Sequence, residues 1–338
     1  MNNELNIIRT IDNRTKKFKY INKNTKKNID NTTILNYINS LKIPPAYKDV
    51  NISSNKNKKV LAIGIDTKNR KQYIYNKLFT EQQKHVKFDN LNIFGKKIKR
   101  IRRDILQSLL TCSNNNDFIT NKQCVISLIL YLIDKCNFRV GCEKYKELYN
   151  SYGVTTLNSS HLRFNKNNVV IEFIGKKGVL NKAYVKNKIV CDLLKKICES
   201  NKKNEYLFIY NDDKNNKYRI NETHINNYLK KYNELISVKM FRTWSANYIL
   251  LREILNYPLP NSDNEAKKNI TKIIKKAAFF MHHTTNVSRK SYMNAEIIDL
   301  YLNHYIKFKN LIEQFRKKNG NLPNLDRLLN LILFTIKS

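Results

Sequence analysis

The sequence predicts an α+β fold in two parts: a small N-terminal β-sheet domain with short helices, residues 1–88, and a larger, mainly α-helical domain containing a small antiparallel sheet, residues 89–338. Three observations carry this reading. Up to residue 75, short apolar runs alternate with polar positions and turn-forming residues, as half-buried strands do. From Phe79 onward the apolar positions recur at helical spacing for most of the chain. Between residues 155 and 185 the period returns to two.

In the first part, residues 5–8 and 18–21 are strand candidates, and residues 32–41 form a short amphipathic helix that stops before Pro44 and Pro45, which cannot continue it. Val60–Ile65 and residues 72–75 are β-rich runs joined by Asp66-Thr67-Lys68-Asn69, a hairpin-turn composition. Behind Arg70 and Lys71, which offer cations for phosphates, Gln72, Tyr73 and Tyr75 offer polar and aromatic groups for base edges. The two tyrosines equally suit the cover of a sheet face.

In the second part, residues 94–106 set Lys96, Lys97, Lys99, Arg100, Arg102 and Arg103 around an apolar face of Ile98, Ile101 and Ile105, either a solvated helix surface or a phosphate contact. Residues 123–134 are nearly all apolar and read as a buried helix. Arg139 follows between apolar residues, just before Gly141, where a helix end or tight turn holds it at the core edge, with an ion pair to Glu143 as the plainer alternative. Residues 155–157, 162–164, 169–174 and 183–185 read as the small sheet. Its turn, Gly175-Lys176-Lys177-Gly178, presents Lys176 from a strand end, although turn lysines are commonly just solvated. Further helices are expected at 189–199, 222–235, 241–255, 264–280, 295–316 and 325–336. Arg242 opens one of them beside the only tryptophan, Trp244, which makes either an anion site or a surface ion pair.

The chain of 338 residues carries 63 Lys plus Arg against 27 Asp plus Glu, a formal net charge of +36. Such a field draws in polyanions, and nucleic acid is the leading partner. An anionic membrane fits less well. The longest apolar run, residues 125–133, is too short to span a bilayer, and the first ten residues lack the apolar stretch of a signal peptide. Six cysteines, at 112, 124, 136, 142, 191 and 198, show neither a CxxC pair nor zinc-ligand spacing, so reduced thiols in an intracellular protein are expected. Heavy use of lysine, asparagine and isoleucine reads as coding bias.

One stretch, HTTNVSRKSYM, gathers His283, Arg289, Lys290 and Tyr292. A phenol keeps its proton until about pH 10. A nucleophilic tyrosine therefore needs cationic neighbours to stabilise its phenolate, and this segment supplies them. A phosphodiester attacked by that oxygen develops negative charge on its equatorial oxygens, which Arg and His stabilise by charge-assisted hydrogen bonds. With 20 tyrosines in so basic a chain, the segment by itself equally fits an exposed tyrosine in a basic loop.

Five motifs in order resemble the poxvirus-type DNA topoisomerases IB, small enzymes also found in giant viruses and some bacteria, from Pro44 to about Tyr301. IPPAYKDV with the hairpin NRKQYIY is similar to the family's N-terminal DNA-clamp domain. CNFRVGCEKY is similar to its first arginine motif, FIGKKG to its hairpin lysine motif, KMFRTWSAN to its second arginine motif, and HTTNVSRKSYM to its last block. The resemblance implies the catalytic fold shared by tyrosine recombinases and topoisomerases IB. It also implies a catalytic set of Tyr292, Arg139, Lys176, Arg242 and His283. Tyr292 would join a DNA 3′-phosphate and release a 5′-hydroxyl strand. Lys176 would protonate the leaving oxygen, directly or through Arg139, while Arg139, Arg242 and His283 would hold the non-bridging oxygens. DNA contacts are implied for Arg70, Lys71, Gln72, Tyr73, Tyr75, Lys144, Tyr145 and Asn247. No metal, ATP or other cofactor is implied. The implied partner is double-stranded DNA, gripped by a monomer clamped around it, and the expected place is intracellular, in a virion and/or at a host cytoplasmic replication site, with a nucleus equally suited to the composition.

Two other readings compete. A tyrosine recombinase usually carries a histidine three residues before the second arginine, where this chain has Lys239. A non-enzymatic basic DNA-binding protein would have these motifs by accident. In either case binding neutralises many phosphates, so affinity for duplex DNA should fall by roughly a thousandfold or more between about 50 and about 200 mM salt in an anisotropy titration.

Overall fold

Five antiparallel strands form the sheet of the N-terminal part: β1 (Ile7–Ile11), β2 (Phe18–Asn22), β3 (Lys48–Ile52), β4 (Val60–Ile65) and β5 (Lys71–Tyr75), in the order β2-β1-β3-β4-β5. A computed structural model describes residues 5–12, 14–114, 121–201, 205–212, 214, 216–258, 260–319 and 324–335. The chain divides into two compact units, Met1–Lys87 and Phe88–Ser338.

In the first unit, alternation turns Ile7, Val50, Ile52 and Ala62 to one side, where they pack with Tyr37 and Ile38 of helix α1 (Thr32–Ser40). Asn31 caps α1 by accepting from Ile34 N. Buried Arg9 donates to the carbonyls of Pro44, Pro45 and Tyr47 and so anchors the proline loop. Strand β3 is absent from the sequence expectation because Lys48 and Asp49 interrupt its apolar alternation, and Asp49 takes a left-handed φ of 48° where the register shifts. The expected hairpin is present. Asp66 organises its turn by accepting from the backbone N–H groups of Lys68 and Arg70.

Helix α2 (Lys77–Ser113) runs through the unit boundary. In the second unit its buried stripe is Leu91, Phe94, Ile98, Ile101, Ile105 and Leu109, at steps of three and four. The largely buried helix α3 (Lys122–Cys136) follows, then α4 (Glu143–Tyr149) and the antiparallel sheet β6 (Leu162–Asn165), β7 (Asn168–Ile174), β8 (Leu180–Val185). Next come α5 (Lys188–Ser200), a small hairpin of β9 (Ile209–Asn211) and β10 (Lys217–Arg219), and α6 (Glu222–Leu229). The remainder is α7 (Lys239–Leu255), α8 (Asp263–Phe280), α9 (Thr285–Ser291), α10 (Ala295–Asn303), α11 (Tyr305–Asn319) and α12 (Leu325–Thr335). Residue 336, expected to end the last helix, lies outside the described residues. No described helix is long and apolar enough to cross a membrane.

The structure departs from several expectations for local reasons. Residues 155–157 do not form a strand. Val154–Thr156 is a buried 3-10 turn closed by the Thr156 hydroxyl, which accepts from Gly153 N and donates to Gly153 O. The helix expected to reach residue 235 stops at Leu229, and the Asn226 side chain instead accepts from Val238 N. The helix expected over 295–316 breaks at His304, which has non-helical dihedrals. Cys112 and Cys124, expected as thiols, form a disulfide between the end of α2 and the start of α3, while Cys136, Cys142, Cys191 and Cys198 are free.

Arg102, expected on the basic surface of its helix, turns inward. It donates to Asp134 of α3 and, at 2.7 Å, to Asp326 of α12, which also accepts from Trp244 Nε1 of α7 at 2.7 Å. Four helices meet in this ion-paired junction. Asp326→Ala leaves the indole N–H and one guanidinium donor without their acceptor, and should lower unfolding stability by about 2 kcal/mol in a denaturant titration.

Candidate active site

Arg139 reaches the site through two glycines. Helix α3 ends at Cys136, and Asn137 caps it in a left-handed conformation, φ 56°. The chain then runs extended beside residues 153–155, with Val154 N donating to Arg139 O and Thr155 N to Val140 O. Gly141, at φ 104°, and Gly153 touch backbone to backbone, and a Cβ on Gly153 would lie 2.5 Å from Gly141 Cα. Side chains at these positions would push the segment bearing Arg139 away. The alternative ion pair is not formed, because Glu143 binds Arg219 and Tyr206 instead.

Arg242 lies in the first turns of α7 and is almost wholly buried. Its Nη2 donates to Met281 O at 3.0 Å and lies 2.5 Å from His283 Nε2, while Nε and Nη1 have no hydrogen-bond partner among the described residues. Burial, and then the charge of Arg139, lower its pKa to about 10. It remains a cation at neutral pH. His283 follows the end of α8, with Nδ1 3.1 Å from the hydroxyl of buried Ser288. Burial, followed by Arg242, Arg139 and His282, holds its ring far below the ordinary imidazole pKa, so it is neutral.

Tyr292 comes directly after α9. Its ring centroid is 4.3 Å from that of His283 and 5.7 Å from the Arg242 guanidinium carbon. Burial raises the pKa of its phenol, but the charges of Arg242 and Arg139 outweigh burial and the net shift is downward. The cations at Tyr292 thus come from distant parts of the chain. Arg289 and Lys290, expected to serve it from its own segment, are exposed on α9.

Asn247, expected to contact DNA, has no exposed surface. One helical turn and a residue beyond Arg242, it faces inward, where its Nδ2 donates to Thr243 O and Tyr292 O and its Oδ1 accepts from Asn294 N. It clamps the backbone on which Tyr292 hangs. The signals missed in the sequence are Ser288, Asn294 and the Asn247 clamp, since small polar residues carry no periodicity of their own.

Lys176 stands apart from this group on an exposed turn after β7, with Lys177 next to it at φ 67°. Lys144 and Tyr145 are exposed on α4, and Tyr145 stacks on Tyr149 with centroids 6.0 Å apart. Glu143, at the start of that helix, is tied to Arg219 and Tyr206. In the first unit, Lys71, Tyr73 and Tyr75 share one exposed face of the edge strand β5, with the two rings stacked. Gln72 does not share it, because strand alternation sends its side chain to the other face, where it donates to Asp66 beside Arg70. Among the described residues no cluster of three or more His, Cys, Asp and Glu could hold a metal ion.

These features define a class of protein: a basic α+β chain in which two arginines from distant segments bring their charge to one tyrosine phenol. Known proteins refine it. The profile of the eukaryotic DNA topoisomerase I catalytic core matches residues 52–319, and that of the bacterial DNA topoisomerase IB N-terminal domain matches residues 17–66. DNA topoisomerase 1B of Acanthamoeba polyphaga mimivirus is 31% identical over 81% of this chain and 82% of its own length. The vaccinia virus (strain Copenhagen) DNA topoisomerase 1B is 25% identical over 83% of this chain and 81% of its own. DNA topoisomerase 1 of rabbit fibroma virus is 24% identical over 75% of this chain and 76% of its own. The chain belongs to the type IB DNA topoisomerases, and DNA is its partner. The recombinase and non-enzymatic readings are not favoured.

The opposed effects at Tyr292 are separable. In a ¹³Cζ-tyrosine NMR titration its phenol should ionise below the ordinary value of about 10, and Arg139→Gln should move the midpoint up by removing one of two opposing charges. A native midpoint above the ordinary value would mean that burial wins.

Proposed function

We propose that this enzyme relaxes supercoiled DNA by cutting and resealing one strand through Tyr292. The carrying observation is Arg242: two buried guanidinium nitrogens lack an acceptor next to the Tyr292 ring, and buried donors of this kind call for an anion. A phosphodiester oxygen meets that need. Tyr292 Oη attacks the phosphorus, its oxygen bonds to the 3′-phosphate, and the 5′-oxygen leaves. Arg139 and Arg242 hold the non-bridging oxygens, and His283 donates to one of them from Nε2. Lys176, on its exposed turn, protonates the leaving 5′-oxygen when the hairpin lies against DNA. One phosphoester replaces another, so the cut strand rotates and the reverse reaction reseals it without ATP or a metal ion.

As a monomer, the chain would clamp duplex DNA with both units. The exposed Lys71, Tyr73 and Tyr75 face and the exposed Lys144 and Tyr145 supply phosphate and stacking contacts. Arg70 adds a partly exposed cation held by Asp66. The viral relatives support a site of action in a virion or at a cytoplasmic replication site.

Plasmid relaxation in EDTA without ATP tests the reading. The native chain should relax supercoiled plasmid, and Tyr292→Phe should bind DNA yet neither relax it nor leave a protein-linked strand after denaturation. A linked strand with Tyr292→Phe would assign the nucleophile elsewhere.

A further inference from the structure

The imidazole of His283 is held at both nitrogens. Nε2 lies 2.5 Å from Arg242 Nη2, and Nδ1 lies 3.1 Å from Ser288 Oγ. A guanidinium can only donate, so Nε2 is here the acceptor, and the single proton of the neutral ring sits on Nδ1, donated to Ser288. In this tautomer His283 has no proton to give a phosphate from Nε2. The function proposed above requires one there.

Two routes would supply it. Protonating the ring would add a cation to a buried site that already faces Arg242 from α7, Arg139 from the segment after α3, and His282 from its own turn, with the Tyr292 ring against it. Each cation, and burial itself, opposes that charge. The second route keeps the ring neutral. Nδ1 gives one proton to water while Nε2 takes one from water, so the net charge is unchanged, and the group at Nδ1 must turn from acceptor to donor. A hydroxyl can do this, having one proton and two lone pairs that reorient freely; a carboxylate or a backbone amide cannot. Ser288 is fully buried, so its hydroxyl is shielded from competing solvent. Its carbonyl also accepts from Tyr292 N and Met293 N, which fixes the hydroxyl and the nucleophile's backbone to the same residue.

We propose that Ser288 is a positioning residue that sets the tautomer of His283, accepting from Nδ1 in the free enzyme and donating to Nδ1 when DNA is bound, so that the neutral ring presents an Nε2 proton to a non-bridging phosphate oxygen. This rests on the phosphodiester reading of the site.

Imidazole ¹⁵N shifts of His283 test it directly, free and in a duplex DNA complex held before cleavage by Tyr292→Phe. The free ring should be neutral with its proton on Nδ1, and the bound ring neutral with its proton on Nε2. Ser288→Ala should slow single-turnover cleavage by roughly 10–100-fold, and Ser288→Thr, which keeps the hydroxyl, should recover most of it. In a His283→Ala background Ser288→Ala should add nothing, whereas a merely structural serine would add its cost in full. An imidazolium in the bound complex, an unchanged tautomer, or additive losses would each overturn the proposal. Failure of the native chain to relax plasmid would instead overturn the reading on which it rests.

Discussion

Two guanidinium groups acting on one half-buried phenol form the constraint on which the second unit depends. Like charges in a desolvated site repel, and Arg242 feels this directly, since burial and Arg139 both lower its pKa. Such an arrangement persists only where the surrounding elements leave the charges nowhere else to go. Arg139 sits on a connecting segment that the contact of Gly141 with Gly153 pins in place, and Arg242 projects from the start of a long buried helix. The resulting field is present before any substrate arrives, which is what makes electrostatic assistance effective.

The scaffold answers this demand in layers. Asn247 joins α7 to the backbone at residues 292–294 with two hydrogen bonds, so the helix that carries Arg242 also positions the phenol. Two residues beyond Arg242, Trp244 binds Asp326 of α12, and Arg102 extends that tie to α2 and α3. A shift of any of these helices would be felt at the site through few intermediates. The last helix therefore acts as a support for α7, although none of its residues belongs to the reactive group.

The exposed faces follow a different logic. On β5 alternation sorts neighbours in sequence into separate tasks: Tyr73 and Tyr75 face solvent with Lys71, while Gln72 steadies the turn through Asp66. On α4 the charged pair at Glu143 ties down the helix that displays Lys144 and Tyr145. Lys176 differs from the other four candidate catalytic residues in being exposed, on the turn after β7.

Local periodicity determined much of this protein. The strands of the first unit other than β3, its hairpin, the buried α3, the sheet β6-β7-β8 and most of the later helices are legible because an apolar side chain repeats at the period of the element it stabilises. The motifs around Arg139, Lys176, Arg242, His283 and Tyr292 are legible as residue types, since transfer to a phosphodiester calls for those groups. Only the tertiary structure decided which cations face the phenol. Arg289 and Lys290 are near in sequence but exposed, whereas Arg139 and Arg242 are distant and charge the site. It alone turned Asn247 inward and Arg102 toward Asp134, and set Ser288 against His283. The reason is physical: a hydrogen bond or an electrostatic pair depends on separation in space, and packing of helices far apart in the chain sets that separation.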